Sequence, residues 1–198
     1  MYNISIFAED RTLERFIIAL IERLANTYHV KINLISYSVR GGQGKVINAL
    51  KKYQQDLHRN QEDLPDLIIA GTDSNCKGSL EQEREIHQAI SDYTNLVISA
   101  TPEPHIERWL LLDSKAFKTV FGRGCPTPDQ KCEQDRYKKL FLNAIIEAGM
   151  MPPLDGTERV ADLVNEMDLQ RISQMDKSID RFLSVLQRRF KIWQQMGV

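Results

Sequence analysis

Three mostly apolar runs and one alternating run divide the first hundred residues of this chain. Ile4-Ser5-Ile6-Phe7-Ala8, Leu67-Ile68-Ile69-Ala70-Gly71 and Leu96-Val97-Ile98-Ser99-Ala100 have the form of short strands buried on both faces. From Val30 to Tyr37 the pattern alternates, with Val30, Ile32 and Leu34 set against Lys31 and Asn33, as in a strand with one wet face. Between these runs the apolar period lengthens. Leu13, Phe16, Ile17, Leu20, Ile21 and Leu24 predict a helix near Thr12–Asn26, with Asp10 and Thr12 as capping residues. Gly41-Gly42-Gln43-Gly44 reads as a turn, Lys45–Leu57 as a second helix and Leu80–Ser91 as a polar, exposed third. Pro102 and Pro104 open a further helix through Glu107–Leu112, since proline is tolerated in a first helical turn. This β-α-β-α order predicts an α/β fold with a largely parallel sheet flanked by helices on both faces.

The pattern then changes. Residues 113–131 carry Gly122, Gly124, Pro126 and Pro128 and read as a loop or insertion, and residues 132–150 read as helical. Met151-Pro152-Pro153 ends that helix and begins an all-helical extension, so the expected division is 1–150 and 151–198. In the extension Ile172, Met175, Ile179, Phe182, Leu186 and Trp193 keep a spacing of three and four, with Arg189 at one seam position. Such a seam fits packing on the same subunit and fits a homodimer or partner contact through the C-terminal helix; the spacing does not choose.

Composition narrows the function classes. A net charge of −1 provides no global field toward nucleic acid, so any such binding rests on local patches. No apolar stretch approaches the roughly 20 residues of a membrane span, and Glu9-Asp10 interrupts any signal-like run, so a cytoplasmic protein without membrane contact is expected. The three cysteines, Cys76, Cys125 and Cys132, read as reduced thiols, and without a nearby histidine they do not suggest zinc. Gly41–Lys45 lacks the spacing of a phosphate loop, and no G-x-G-x-x-G follows the first strand.

The acidic residues carry the strongest functional signal. Glu9 follows the first run, Asp73 and Asn75 the third, and Glu103 and Glu107 the fourth, each just past the carboxyl end of a strand. Ligands of open α/β sheets bind at that edge. Oxygen ligands gathered there suit a hard cation, Mg²⁺ or Mn²⁺.

Three of these stretches resemble a known family. Glu9-Asp10-Arg11-Thr12-Leu13-Glu14-Arg15-Phe16 resembles the E-G-x-T-E-x-x-F opening of TOPRIM-like proteins, and Asp73-Ser74-Asn75 stands where that family has D-x-D. Pro102-Glu103-Pro104-His105-Ile106-Glu107-Arg108-Trp109-Leu110-Leu111-Leu112-Asp113 resembles the P-x-x-E-x-W-L-x-x-D stretch of small TOPRIM-like proteins related to the OLD nucleases. The resemblance covers residues 1–113. It implies a TOPRIM-like catalytic domain in 1–150 that cleaves DNA or RNA with Mg²⁺ or Mn²⁺. By position, Glu9 would be the metal-proximal general acid or base, Asp73 the main metal ligand, Asn75 the second position of the D-x-D and Glu107 the third acidic contribution. It also implies an effector of bacterial anti-phage defence working with an ABC- or AAA-type ATPase, a partner implied by the resemblance alone; the chain has no ATP-binding motif of its own. Two residues depart from the pattern. Asp10 replaces the family's glycine; its charge suits holding a metal as well as capping the helix, and it reads first as the cap, while Asn75 replaces a carboxylate with an amide that brings no charge.

A basic stretch follows. Lys115, Lys118, Arg123, Lys131, Arg136, Lys138 and Lys139 are interleaved with Phe117, Phe121 and Tyr137, a composition that suits phosphate contacts and base stacking as well as a solvated surface. Lys115, Lys118, Arg123, Lys138 and Lys139 are the expected nucleic-acid contacts. His105 is the one histidine near the acidic edge and reads as a helix-start residue. The rival to a nuclease is a non-catalytic TOPRIM-like binding module that scaffolds or regulates an ATPase.

Overall fold

The computed structural model describes residues 1–39, 41–59, 64–133, 135–151 and 158–197. Pro152 and Pro153, expected to end a helix, lie outside the described residues. Strands β1 (Tyr2–Ala8), β2 (Ile32–Ser38), β3 (Leu67–Gly71) and β4 (Val97–Ala100) form one sheet in the order β2-β1-β3-β4, with every neighbouring pair parallel. The chain leaves β1 toward β2, then returns past β1 to place β3 on its other side. The topological switch point therefore lies between the carboxyl ends of β1 and β3, the position at which ligands of open α/β sheets bind.

Helix α1 (Arg11–Tyr28) covers one face of the sheet. Its buried stripe of Leu13, Phe16, Ile17, Leu20, Ile21 and Leu24 is the one the periodicity predicts, and Asp10 caps it by accepting the Leu13 N–H at 2.9 Å. Gly71 makes the close approach feasible, because a Cβ there would sit 2.8 Å from Ile17 Cδ1. Helices α2 (Gln43–Arg59) and α3 (Ser79–Ala89) cover the other face, over Phe7, Ile68, Ala70 and Val97. Gly41 and Gly42 hold the left-handed conformations of the turn before α2, and Lys45 bonds back to Gly42.

After β4 come α4 (Ile106–Leu110), α5 (Ser114–Phe121) and α6 (Arg136–Glu147). Helix α5 corrects the reading of residues 113–131 as a loop. Asp113 caps it by accepting the N–H groups of Lys115 and Ala116 at 3.0 Å, and Gly122 ends it in a left-handed conformation. Glycines and prolines downstream of a helix hide it when it is only two turns long.

The extension comprises α7 (Val160–Glu166), α8 (Leu169–Met175) and α9 (Lys177–Met196), which fold back over the α1 face. Ile172, Ile179, Phe182, Leu186 and Trp193 are buried in the same core cluster as Ile4, Ile6 and the inner stripe of α1. The seam therefore belongs to this chain's own core and is not free for a homodimer or a partner. Met175 is exposed, and the seam position assigned to Arg189 is taken by Phe190. Arg23 ties α1 to the extension by donating to the carbonyls of Val164 and Met167, each at 2.7 Å.

Helix α4 locks the extension in place. Buried Arg108 forms an ion pair with buried Asp176, which also caps α9 through the N–H groups of Ser178 and Ile179. Trp109 Nε1 donates to Ser178 Oγ at 2.9 Å, and its ring lies against Phe16 and Phe182. Asp113 accepts the Asp168 N–H at 2.9 Å and pairs with Arg171.

Asp176→Ala leaves Arg108 buried without its counter-charge and α9 without its cap. It should lower unfolding stability by about 3–5 kcal/mol in urea titrations. Met175→Asp, one residue away but exposed, should change it by no more than about 0.5 kcal/mol.

Candidate metal centre

The carboxyl ends of β1 and β3 bring three acids together. One ligand oxygen each from Glu9, Asp10 and Asp73 lies within 4.8 Å of the others. Backbone bonds continue the sheet past its strands: Glu9 N–H donates to the Gly71 carbonyl and Thr72 N–H to that of Ala100. Ser74 and Asn75 N–H donate to the carbonyls of Pro102 and Pro104, joining the turns after β3 and β4. These turns fix where the carboxylates point.

Glu9 and Asp73 are both nearly buried. Glu9 Oε1 accepts the Asp73 N–H at 2.8 Å, while Glu9 Oε2 is buried and has no hydrogen-bond partner among the described residues. Asp73 Oδ1 accepts the Ile106 N–H at 2.9 Å, and Asp73 Oδ2 lies 3.1 Å from His105 Nδ1. Burial, reinforced by the Asp73 charge, pushes the Glu9 carboxyl up to about 8. Asp73 is also raised, by burial first, against the opposing bond from His105. His105 is raised in turn, mainly by its bond to Asp73.

Glu107 stands in the first turn of α4. Burial and then the Asp73 charge push it up to about 7, with Asp10 adding to the effect. Glu9 and Asp73 thus meet as the sequence suggests, while Glu107 lies outside the three-acid group and is close enough to feel the charges of Asp73 and Asp10. Asn75 is exposed in a left-handed conformation, and its amide donates to Asp73's own carbonyl at 3.3 Å. Glu103 points elsewhere, accepting the Ser79 hydroxyl at 2.8 Å.

Two residues have larger parts than their sequence context suggests. Asp10 is a helix cap and a member of the acid cluster at once. His105 is the partner of Asp73, a pairing across 32 positions that only its place past the fourth strand hinted at.

The basic stretch is corrected in one respect. Phe117, Phe121 and Tyr137 are buried in the core, so they are not a stacking platform for bases. Their spacing marks the inner stripes of α5 and α6. Lys115, Lys118, Lys138 and Lys139 are exposed on the outer sides of those helices. Arg123 is exposed and paired with Glu147, and Arg136 is paired with Asp129 and Glu133.

The cysteines are also corrected. Cys76 and Cys132 form a disulfide with a Cα–Cα distance of 5.8 Å, and Cys125 is the buried free thiol, pushed up to about 11 chiefly by burial. The bridge ties the turn that carries Asp73 to the segment before α6. Among the described residues no helix is long and apolar enough to cross a membrane.

Comparison with protein-family models, with curated proteins and with solved structures finds no match to this chain.

Without a cation, the raised carboxyls make stability pH-dependent. Between its ordinary value of 4.5 and about 8, folded Glu9 holds a proton that the unfolded chain has lost. Glu107 does the same between 4.5 and about 7. Stability should therefore fall as pH rises through this window. Thermal unfolding in chelator from pH 5 to 8 should show the decline, Glu9→Gln should flatten it, and millimolar Mn²⁺ should raise the midpoint most at pH 8. Separately, Cys132→Ser opens a link across 56 positions. It should cost about 4 kcal/mol by loop-closure entropy, read by denaturant unfolding with and without a dithiol reductant.

Proposed function

We propose that this chain is a TOPRIM-like metal-dependent nuclease that hydrolyses DNA or RNA phosphodiesters. The observation that carries the reading is the convergence of Glu9, Asp10 and Asp73 at the switch point of a parallel sheet. The donor set fits Mg²⁺ or Mn²⁺: it is all oxygen, and it includes a buried carboxylate oxygen, Glu9 Oε2, with no other partner among the described residues. Glu9, Asp10 and Asp73 would hold the cation, with Glu107 at its margin. Once bound, such a cation neutralises phosphate charge and makes water a nucleophile at neutral pH.

The remaining tasks fall to the chain's own groups. Glu9 uses Oε1 to fix the Asp73 backbone and keeps Oε2 for the site. Glu107, held near 7, is matched to giving or taking a proton close to neutrality. His105 orients the Asp73 carboxylate from one side while the Ile106 N–H holds it from the other. Lys115, Lys118, Arg123, Lys138 and Lys139 supply phosphate contacts. With the aromatics buried, affinity is electrostatic, indifferent to base sequence and sensitive to salt. The TOPRIM-like motifs extend the reading to bacterial anti-phage defence alongside an ABC- or AAA-type ATPase.

One feature favours the rival, a non-catalytic module that scaffolds such an ATPase. Both oxygens of Asp73 already have protein partners, and Asn75 brings no charge.

The test is cleavage of labelled single- and double-stranded DNA and RNA with Mn²⁺, alongside calorimetric Mn²⁺ titration. Asp73→Asn and Glu9→Gln, which keep an acceptor at each position, should each lower cleavage at least about a hundredfold. They should also weaken Mn²⁺ binding. Undiminished cleavage in either variant refutes the assignment. Mn²⁺ binding by a wild-type protein that cleaves nothing, even beside its ATPase, selects the module.

A further inference from the structure

Helix α9 has a second apolar stripe that its own core does not use. Ile179, Phe182, Leu186, Phe190 and Trp193 face inward and are buried. Val185, Ile192 and Met196 lie on another side and are 46%, 45% and 70% exposed. With Leu64, also exposed, they border a groove of about 560 Å³ between α9 and the amino-terminal ends of β1, β3 and β4. The groove is thus at the opposite end of the sheet from the acid cluster. From Val185 to Met196 the stripe runs about 17 Å at 1.5 Å per residue, or three helical turns.

Charge indicates what fits it. Residues 181–198 contain Arg181, Arg188, Arg189 and Lys191 and no acid. Arg188 and Arg189 line the groove, and Arg189 donates to the Asn95 carbonyl at 2.8 Å, which holds it at the rim. Among the described residues the one acid in the lining is Asp66, which is engaged by the Asn3 N–H at 2.7 Å. A second copy of this chain is a poor occupant. Pairing two α9 stripes about a two-fold axis would bring Arg188, Arg189 and Lys191 of both copies together, and like charges repel. A lipid surface is also a poor occupant, because the apolar side chains border a concave groove whose wall includes Asp66, whereas interfacial helices present a protruding apolar face.

We propose that this groove docks an amphipathic helix of a partner protein, apolar along one side and acidic along its flanks. The partner's anchors would recur at i, i+3 or i+4, and i+7 to match Val185, Ile192 and Met196. Its carboxylates would meet Arg188, Arg189 and Lys191. The contact is remote from the acid cluster, so the protein can hold a partner without blocking that site.

The probe is a fluorescein-labelled 16-residue helical peptide with leucines at those spacings and flanking glutamates, titrated onto the full chain. A copy with lysines in place of the glutamates serves as control. Saturable binding of the acidic peptide and at least tenfold weaker binding of the basic one are expected. Ile192→Asp should weaken the acidic peptide tenfold or more while leaving the thermal midpoint within a few degrees, since the position is exposed. The pair Arg188→Glu and Lys191→Glu should reverse the preference, a result that general loss of folding cannot produce. Equal binding of both peptides, no binding, or binding indifferent to these substitutions overturns the proposal. So does a homodimer in light scattering that Ile192→Asp dissociates, or phosphatidylserine vesicle binding that it abolishes.

Discussion

A carboxylate removed from water must be given donors, and the rest of this structure is arranged around how Asp73 gets them. One oxygen takes the Ile106 N–H and the other faces His105. Both donors sit at the opening of α4, so satisfying Asp73 draws that short helix against the carboxyl end of β3. Every further attachment of α4 follows from this placement. Arg108 and Trp109 turn away from the acids toward the start of α9, and Asp113 reaches the start of α8. A segment of nine residues thus faces the site with some side chains and holds the helical extension with the others.

The two jobs have different energetics. Trp109, Phe16 and Phe182 stabilise the extension by ordinary apolar burial, with ring geometry adding about 0.5–1.5 kcal/mol per pair. The Arg108–Asp176 pair adds little net stability, since desolvating two charges offsets most of their attraction. Its value is in orientation, because only one docking of α9 leaves neither charge alone. The acid cluster runs the other way. Glu9, Asp73 and Glu107 are all shifted toward their protonated forms, mainly by burial, so the folded protein without a cation is held away from its stability optimum.

Much of this was written plainly in the pattern of residues. The strands, the parallel α/β order and the inner face of α1 follow from local periodicity, because burial on one or two faces constrains neighbours in sequence. The placement of Glu9 and Asp73 past their strands was enough to put them at one edge, because parallel strands all end on the same side. Asp10 was legible first as a cap and only second as added charge for a metal, since capping is a local role and clustering is not.

What lay beyond the sequence is in each case a pairing across distance. The seam of α8 and α9 showed that one face must be covered, and only the fold showed that α1 and the sheet cover it. Phe117, Phe121 and Tyr137 alternate with lysines equally well on a stacking surface and on helices with a buried stripe, and the tertiary structure chose the stripe. Cys76 and Cys132 are 56 positions apart, and nothing local reveals that the turn after β3 meets the segment before α6. His105 and Asp73 are likewise joined by the crossover between strands. The sequence by itself determined which residues must be hidden and which edge gathers the acids, because those follow from side-chain period and strand direction. The tertiary structure alone decided which surfaces hide one another and which charges meet, because those depend on how the chain returns upon itself.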